Sequence, residues 1–362
     1  MKKILIFSNH PAYTYNLRKE VIDRFIEKKY EVTLVVPYGN EVEYFKDIGV
    51  KLIDIKLIER SINPFTDLKL LYQNIKILKK EAPDLVITFA TKQNIYGGMA
   101  SRITKTPYIP MITGLGTTIE NPGILQKITS MLYRTGIRGA KTLFVQNDSI
   151  VKKLKYFNMV HSPIRMTPGS GVNLEHHHFV DYPEKNVDIK FLYIGRIMRD
   201  KGIYELLEAI QNIKKKYSNV SFTVIGHANL EEDKEKIQSA DDKGLINYLE
   251  NQTDVRPFIH EAHAIILPSY HEGMSNVLLE SAAAGRPLLA SKVPGCQETF
   301  DEGVSGIGFA SKNVSDLTKA IEEFIQLPYD KKKEMGQAGR RKIEGEFDRK
   351  IVAEMYIEEI ED

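Results

Sequence analysis

The chain lacks several features that would assign it to a special class of protein. Its 362 residues include one cysteine, Cys296, which excludes an internal disulfide and a cysteine-based metal cluster. No run approaches the roughly 18 apolar residues of a membrane span. The first residues, MKKILIFSNHPAY, have too short an apolar stretch and no small-residue cleavage site for a signal peptide. We therefore expect a cytoplasmic protein.

The composition is that of a folded protein with substantial cores. Apolar residues make up 42% of the chain, charged residues 27% and aromatic residues 9%, which excludes a disordered or collagen-like chain. There is no short internal repeat and no low-complexity segment. At roughly 100–200 residues per domain, the length predicts two domains.

The charge is distributed unevenly along the chain. Residues 1–170 contain 26 Lys and Arg against 14 Asp and Glu, whereas the remainder contains 24 against 34. Such an asymmetry indicates an anionic partner for the first half, either a membrane surface, a phosphorylated substrate or nucleic acid. Nucleic acid is disfavoured, because the basic residues are dispersed and no nucleic-acid-binding motif occurs. The alternative is two solvated surfaces of different charge.

Short β-branched runs alternate with longer amphipathic segments. The predicted strands are 4–8, 31–36, 51–54, 85–89, 108–112, 142–146, 164–167, 191–194, 221–225, 246–249, 265–267 and 288–290. The predicted helices are 16–29, 64–81, 94–104, 123–138, 149–156, 203–217, one from residue 231, and 276–284. This alternation indicates βαβ units and parallel sheets. The fold class is therefore α/β, with two doubly wound, Rossmann-like domains.

Ligands of such folds bind beyond the carboxyl ends of the strands, which gives priority to the residues there. In the segment FLYIGRIMRDKG, Gly195 and Arg196 directly follow a predicted strand, and Lys201 and Gly202 precede the next helix. Two cations beside a helix N-terminus suit a phosphate group. The alternative is an ordinary turn with solvated cations.

A second cluster follows the strand 265–267. Glu272 lies in the predicted loop and Glu280 about one turn into the next helix. A carboxylate accepts two hydroxyl donors at once, so Glu280 suits a ribose diol and Glu272 a hexose. Helix capping is the alternative role for Glu272. Backbone groups that can approach a ligand closely are those of Gly273, Met274, Ser275 and Asn276.

The spacing Glu272-x7-Glu280, with Gly195-Arg196-x4-Lys201-Gly202 about 75 residues earlier, resembles the retaining family 4 glycosyltransferases of GT-B fold. The resemblance covers nearly the whole chain and implies two Rossmann-like domains facing across a cleft. It is closest to bacterial members that build capsule, exopolysaccharide or O-glycan units on a polyprenyl diphosphate. TKQNIYGG at 91–98 and TGLG at 113–116 carry this closer resemblance.

The resemblance implies a role for each donor-site residue. Arg196 and Lys201 would hold the donor diphosphate and neutralise the leaving group. No metal or other cofactor is therefore expected. In agreement, no paired aspartate motif stands at a predicted strand end. Glu272 would contact the transferred sugar and Glu280 the ribose. The implied donor-binding set is Gly195, Arg196, Lys201, Gly226, Arg256, Glu272, Gly273, Met274, Ser275, Asn276, Val277 and Glu280, with Gly226 and Arg256 near a base that is usually uracil.

The first half is expected to bind the acceptor. His10 follows the first predicted strand and is assigned a catalytic role as well. Many family members carry a histidine after the fourth strand, where this chain has FATKQN, so Lys92 would instead pair with an acceptor diphosphate or remain a solvated side chain. The expected acceptor-binding set is His10, Asn16, Arg18, Lys92, Gly114 and Gly116.

Three further segments carry predictions. The amphipathic helix 123–138 either lies in a membrane interface or packs on the core. Residues 176–178, three consecutive histidines, do not form a preorganised metal site. The final helix, 350–360, resembles the family's closing segment, so the first domain is expected to contain 1–173 and about 345–362, with a linker at 174–187 and the second domain at 188–344.

Together these features predict a retaining, UDP-sugar-dependent and metal-independent hexosyltransferase. Its substrates would be a UDP-sugar and a polyprenyl-diphosphate-linked saccharide, and it would act as a peripheral protein on the anionic cytoplasmic face of the plasma membrane. One alternative is an enzyme like UDP-N-acetylglucosamine 2-epimerase. Another is a non-catalytic partner that binds a nucleotide sugar.

Overall fold

A computed structural model of the protein describes residues 1–55, 64–115, 119, 122–185 and 188–362. The chain divides into two compact units. Unit 1 contains Met1–Ser170 and Arg349–Asp362, and unit 2 contains Gly171–Asp348. Within the described ranges, no helix is long and apolar enough to cross a membrane.

Unit 1 contains a seven-stranded parallel sheet with the strand order β3-β2-β1-β4-β5-β6-β7. Its elements in chain order are β1 (Lys3–Phe7), α1 (Pro11–Glu27), β2 (Glu31–Val36), a 3₁₀ turn (Asn40–Val42), α2 (Glu43–Asp47), β3 (Lys51–Asp54), α3 (Pro64–Glu81), β4 (Leu85–Phe89), α4 (Thr91–Thr104), β5 (Tyr108–Ile112), α5 (Ile124–Ile137), β6 (Leu143–Val145), α6 (Asp148–Tyr156), β7 (Ile164–Met166) and, at the end of the chain, α13 (Arg349–Glu361).

Unit 2 contains a six-stranded parallel sheet with the order β10-β9-β8-β11-β12-β13. Its elements are β8 (Ile189–Ile194), a 3₁₀ turn (Arg199–Lys201), α7 (Ile203–Lys214), β9 (Val220–Ile225), α8 (Glu231–Asp242), β10 (Asn247–Leu249), α9 (Arg256–Glu261), β11 (Ala264–Leu267), α10 (Asn276–Ala283), β12 (Leu288–Ser291), a 3₁₀ turn (Gln297–Thr299), β13 (Gly306–Phe309), α11 (Val314–Gln326) and α12 (Tyr329–Glu346).

The inner strands of the unit 1 sheet are buried on both faces, whereas the edge strands β3 and β7 are partly exposed. In β1, Ile4 and Ile6 belong to one apolar core, whereas Phe7 belongs to the other. A strand in this position must be apolar at nearly every residue, which is why runs such as KILIF form a parallel sheet. The predicted α/β fold class with two parallel sheets is confirmed.

The closing helix packs on unit 1. The ring of Tyr356 lies 4.7 Å from that of Phe144, centroid to centroid. The Arg349 guanidinium donates to the Asn16 carbonyl at 2.8 Å and forms an ion pair with Glu20 at 2.5 Å. Burial of Tyr356 and this ion pair join the two ends of the chain in one unit.

The described part of the predicted linker, residues 174–185, belongs to unit 2 and packs on the rest of it. Tyr182 is 7% exposed, and its hydroxyl donates to the His263 carbonyl at 3.0 Å. Arg286, with no exposed surface, donates to the carbonyls of Val180 and Asp181 at 3.2 and 3.0 Å. A buried guanidinium satisfied by these carbonyls fixes the segment to the domain.

Several predicted boundaries are wrong. α1 begins at Pro11 and not at residue 16, because proline fits the first turn of a helix and His10 supplies the preceding extended residue. α4 begins at Thr91 rather than residue 94. The prediction omitted five elements that carry weaker periodicity or lie late in the chain: α2, α9, α11, α12 and β13.

His263 makes the stability of unit 2 depend on pH. It is 3% exposed, its Nδ1 accepts from the Lys190 amide at 3.1 Å, and burial lowers its pKa to about 4. The unfolded chain binds this proton near pH 6.5, so protonation favours unfolding as the pH falls from about 6.5 to about 4. We expect a loss of about 3 kcal/mol over this range. Hydrogen exchange of β8 and β11 should reveal it, and a His263→Asn variant should lose that part of the pH dependence.

Candidate functional site

The carboxyl ends of β8 and β11 meet at the point where the strand order of unit 2 reverses. In this class of sheet, that point is the ligand site. Lys201 follows β8 and Glu272 follows β11, and their side chains form an ion pair. The Glu272 carboxylate also accepts from Ser269 Oγ at 2.8 Å. Lys201 and Glu272 are 17% and 15% exposed, so both charges remain within reach of a ligand.

Close backbone packing brings Lys201 to this position. Gly202 has a φ of +70°, and a Cβ there would lie 2.1 Å from the Pro268 carbonyl oxygen. The Tyr270 amide donates to the Asp200 carbonyl at 2.9 Å. Only glycine fits at residue 202, because a side chain would separate the two loops that carry the ion pair.

Arg196 supplies a second cation beside the pair. Its side chain is exposed, and its guanidinium makes no hydrogen bond or ion pair with the described part of the chain. The buried Tyr193 hydroxyl fixes the turn by donating a hydrogen bond to the Arg196 carbonyl at 3.0 Å. Burial raises the pKa of Tyr193, so this phenol stays a donor. A Cβ on Gly226 would lie 1.8 Å from the Gly195 carbonyl oxygen, so these two predicted residues pack directly together.

The loop from Glu272 to Ser275 leads into α10. The Ser275 amide donates to the Gly295 carbonyl at 2.8 Å, and Ser275 Oγ caps the helix by accepting from the Leu278 amide at 3.5 Å. The amides of Asn276 and Val277, in the first turn, have no acceptor within the helix. They point toward the helix N-terminus and favour an anion there. Gly273 and Met274 lie in the same loop, each half-buried.

Glu280 lies further along α10. It is 23% exposed, and its Oε1 lies 4.0 Å from His177 Nε2. Arg256, at the start of α9, forms an ion pair with Asp254 at 2.7 Å that holds the pKa of Asp254 well below its usual range. Arg256 Nη1 also lies 3.3 Å from His176 Nδ1.

The three consecutive histidines contact different groups. His176 lies beside Arg256 and His177 beside Glu280, while the His178 ring lies 5.4 Å from that of His260. Among the described residues, no group of three or more His, Cys, Asp and Glu side chains is arranged to hold a metal ion.

In unit 1, three predicted acceptor residues follow neighbouring strands. His10 comes after β1, Lys92 after β4 and Gly114 after β5, so all three lie at the carboxyl edge of the sheet. His10 Nδ1 is buried and has no hydrogen-bond partner among the described residues. Lys92 forms an ion pair with Asp67 at 3.0 Å, and the Tyr96 hydroxyl donates to the same carboxylate at 2.9 Å.

The other acceptor residues require correction or lie elsewhere. Asn16 and Arg18 were expected to open the helix after β1, but they lie in its interior, because α1 begins at Pro11. Arg18 is 5% exposed and its guanidinium lies 4.3 Å from the Phe89 ring centroid, so burial lowers its pKa to about 10. We therefore leave Arg18 out of the acceptor site. Gly116 lies outside the described residues.

The structure adds residues that the sequence did not single out. Ala90, between β4 and α4, has φ 69° and ψ 155°, a conformation that is costly for any residue with a Cβ. Ser269 donates a hydrogen bond to Glu272, and His177, considered in the sequence only as a metal ligand, lies 4.0 Å from Glu280. A Cβ on Gly295 would lie 2.7 Å from the Glu272 carbonyl oxygen, so this residue must be glycine. The Pro-Gly pair at 294–295 was the one available sequence signal.

Helix α5 has two apolar faces. Tyr133 and Ile137 are buried, as the core-packing interpretation predicts. The opposite face exposes four large apolar side chains, which are 45–77% exposed: Ile124, Leu125, Ile128 and Met131.

Two family models match the chain. Residues 176–342 match the model described as "Glycosyl transferases group 1", and residues 3–147 match "Glycosyl transferase 4-like". The solved structure of sucrose-phosphate synthase from Thermosynechococcus elongatus superposes with a TM-score of 0.81 at 16% identity, covering 99% of this chain and 98% of the other. It supports the GT-B fold.

Two curated relatives align over almost their full length. One is N,N'-diacetylbacillosaminyl-diphospho-undecaprenol alpha-1,3-N-acetylgalactosaminyltransferase of Campylobacter jejuni, 25% identical over 98% of this chain and 97% of the relative. The other is the capsular polysaccharide biosynthesis glycosyltransferase CapM of Staphylococcus aureus, 24% identical over 93% of this chain and 91% of the relative. The two family models together span residues 3–147 and 176–342, and they show that the chain belongs to the retaining family 4 glycosyltransferases of GT-B fold.

Proposed function

We propose that this protein transfers a hexose or N-acetylhexosamine from a UDP-sugar to a polyprenyl-diphosphate-linked saccharide, with retention of anomeric configuration, during assembly of a bacterial surface polysaccharide or glycan. The observation that carries the proposal is the Lys201–Glu272 ion pair at the carboxyl ends of β8 and β11. It combines a cation for a diphosphate with a carboxylate for sugar hydroxyls at one point.

The donor diphosphate is bound by Arg196 and Lys201, the two cations that follow β8. Arg196 offers an exposed guanidinium, and Lys201 an ammonium already fixed in place. The first-turn amides of α10 at Asn276 and Val277 add further donors. Three kinds of positive group therefore stabilise the charge that develops on the leaving diphosphate, and we assign this role to them rather than to a metal ion.

Two carboxylates bind the neutral parts of the donor. Glu272 accepts hydrogen bonds from the transferred sugar, and Glu280 accepts from the ribose diol. Gly226 and Arg256 lie on the loops after β9 and at the start of α9, and we assign them to the uracil end.

The bond changes balance without an enzyme nucleophile. The bond from the anomeric carbon to the diphosphate oxygen breaks, and a new bond to the acceptor hydroxyl oxygen forms on the same face. The acceptor proton passes to an oxygen of the departing UDP. Arg196 and Lys201 act in this step because they bind the atoms on which negative charge increases.

Unit 1 binds the acceptor in this proposal. His10, Lys92 and Gly114 share one sheet edge, where ligands of parallel sheets bind. Lys92 would exchange its ion pair with Asp67 for the acceptor diphosphate, and the buried, unpartnered His10 Nδ1 would orient an acceptor hydroxyl. Asn16, exposed on α1, is the outermost of these residues.

A lipid-linked acceptor requires contact with a membrane. The name of the Campylobacter jejuni relative includes a diphospho-undecaprenol acceptor, which supports an acceptor of this type here. The exposed apolar face of α5 and the excess of basic residues in unit 1 suit the anionic cytoplasmic surface of the plasma membrane. We therefore propose a peripheral membrane protein.

A panel of UDP-sugars tests the function directly. The purified protein is incubated with each radiolabelled donor, with and without a bacterial lipid extract, and UDP release and label in the lipid phase are measured. We expect one donor to label the lipid phase. Release of UDP or conversion of the labelled donor in the absence of lipid would favour an epimerase or a soluble acceptor. Unchanged donors throughout would favour a non-catalytic partner.

A further inference from the structure

The segment that contains His177 is fixed beside α10. The His177 amide donates to the Asn173 carbonyl at 2.9 Å, while Asn173 Oδ1 accepts from the His176 amide at 2.9 Å. Arg340, on α12, donates from one guanidinium nitrogen to the carbonyls of His177 and Ala283, at 3.0 and 2.8 Å. The backbone of His177 is therefore tied to the last residue of the helix that carries Glu280.

The His177 side chain points at the Glu280 carboxylate. Nε2 lies 4.0 Å from Oε1, and the two side chains are 12% and 23% exposed. At this separation the two groups attract each other as charges rather than share a hydrogen bond. Because both are largely withdrawn from water, this attraction is less screened than that of a surface pair.

We propose that His177 is a positioning residue for donor binding. Its imidazolium holds the Glu280 carboxylate in the orientation that accepts both ribose hydroxyls. The inference rests on the proposed function, since it assumes that Glu280 binds the ribose. It also makes donor binding depend on pH, because the attraction requires a protonated imidazole and is lost when rising pH removes that proton.

Other charged and titratable groups border this pair. The His176 ring lies 4.9 Å from that of His177 on the same segment, and Arg256 of α9 lies on the far side of His176. Arg340 of α12 contacts the His177 carbonyl. Arg256 and Arg340 are thus the cations of neighbouring helices near His177, and Glu280 of α10 supplies the carboxylate that lies 4.0 Å from its ring.

Binding of UDP tests the assignment without knowledge of the transferred sugar. Calorimetry at pH 6.5 should show that His177→Ala raises the Kd for UDP by about three- to tenfold, and that Glu280→Gln raises it by at least as much. In the Glu280→Gln background, His177→Ala should have no further effect, because the residue acts through Glu280. The Kd of His177→Ala divided by that of the wild type should fall toward one as the pH rises to 8.

Two further variants separate positioning from folding. His178→Ala removes the neighbouring ring, which contacts His260 and not Glu280, and should leave the Kd for UDP unchanged. His177→Gln keeps a neutral hydrogen-bond donor. Its Kd for UDP should lie between those of the wild type and His177→Ala, and the ratio of its Kd to that of His177→Ala should not change with pH. This variant serves if the alanine variant unfolds.

The outcomes distinguish the proposed role of Glu280 from that of His177. If Glu280→Gln leaves the Kd for UDP unchanged, the proposed role of Glu280 is wrong and this inference falls with it. If Glu280→Gln weakens binding but His177→Ala does not, or the two effects are additive, only the inference about His177 is overturned.

Discussion

Replacing Lys201 with alanine is expected to lower kcat/KM for the UDP-sugar by about 10²–10³-fold. Negative charge increases on the departing diphosphate in the proposed reaction, and a fixed ammonium group stabilises it more than mobile water does. Lys201 is held for this role by the Glu272 carboxylate, at 17% exposure. Steady-state kinetics with the donor identified in the panel would measure the effect.

Lys216 offers a matched control in the same unit. It forms an ion pair with Glu322 at 2.6 Å, but its side chain is 61% exposed. Exposed pairs contribute little to stability, so Lys216→Ala should leave kcat/KM within about twofold and the melting temperature nearly unchanged. The Lys201→Arg variant keeps the charge and should retain part of the activity. Full activity in a folded Lys201→Ala protein would remove Lys201 from the catalytic set.

Charge placed on the exposed face of α5 is expected to release the protein from membranes. The double substitution Leu125→Glu and Ile128→Glu should weaken binding to anionic vesicles by at least about tenfold, because each buried apolar side chain contributes about 1.5–3 kcal/mol. Co-flotation with vesicles of phosphatidylglycerol and phosphatidylcholine measures the binding. The Kd for UDP should not change.

The packing of α5 explains why this face is available. A Cβ on Gly98 of α4 would lie 2.1 Å from the Gly136 carbonyl oxygen, so the two helices touch at their backbones. The Asn94 side-chain amide donates to the Tyr133 hydroxyl at 3.1 Å. The helix is thus fixed by its buried face, and Ile124, Leu125, Ile128 and Met131 remain exposed.

The region around α5 is basic, and a second helix of unit 1 also exposes apolar side chains. Residues 91–170 contain eleven Lys and Arg against two Asp and Glu. Phe65 and Leu68, in the first turns of α3, are 85% and 65% exposed, and both α3 and α5 pack against α4. Apolar contact together with positive charge is the combination that binds anionic lipid.

Val304→Glu is the matched control for the vesicle assay. Val304 is 55% exposed in a turn of unit 2, so the substitution adds one charge at a lone apolar residue. Its vesicle binding should equal that of the wild type. Equal binding by the α5 double variant would contradict a membrane role for this helix, as would equal binding of the wild type to neutral and anionic vesicles.

The strands were the most predictable part of the fold. Four predicted strands, 31–36, 51–54, 85–89 and 108–112, have the bounds seen in the structure. Three of them, β2, β4 and β5, are buried at nearly every residue, which demands a continuous apolar run that stands out in the sequence. The starts of α1 and α4 were less predictable, and the first turn of α1 depends on Pro11 and the extended His10 rather than on apolar spacing.

By itself, the sequence determined the α/β class, the family, and which residues follow each strand. It singled out Arg196, Lys201 and Glu272 because they follow strands, and Glu280 because of its spacing from Glu272. Only the tertiary structure decided which of them meet. Lys201 contacts Glu272 because β8 pairs with β11 and Gly202 packs on Pro268. His177 lies near Glu280 because Arg340 binds the carbonyls of His177 and of Ala283, at the end of α10. Such contacts join residues far apart in the chain, so no local pattern encodes them.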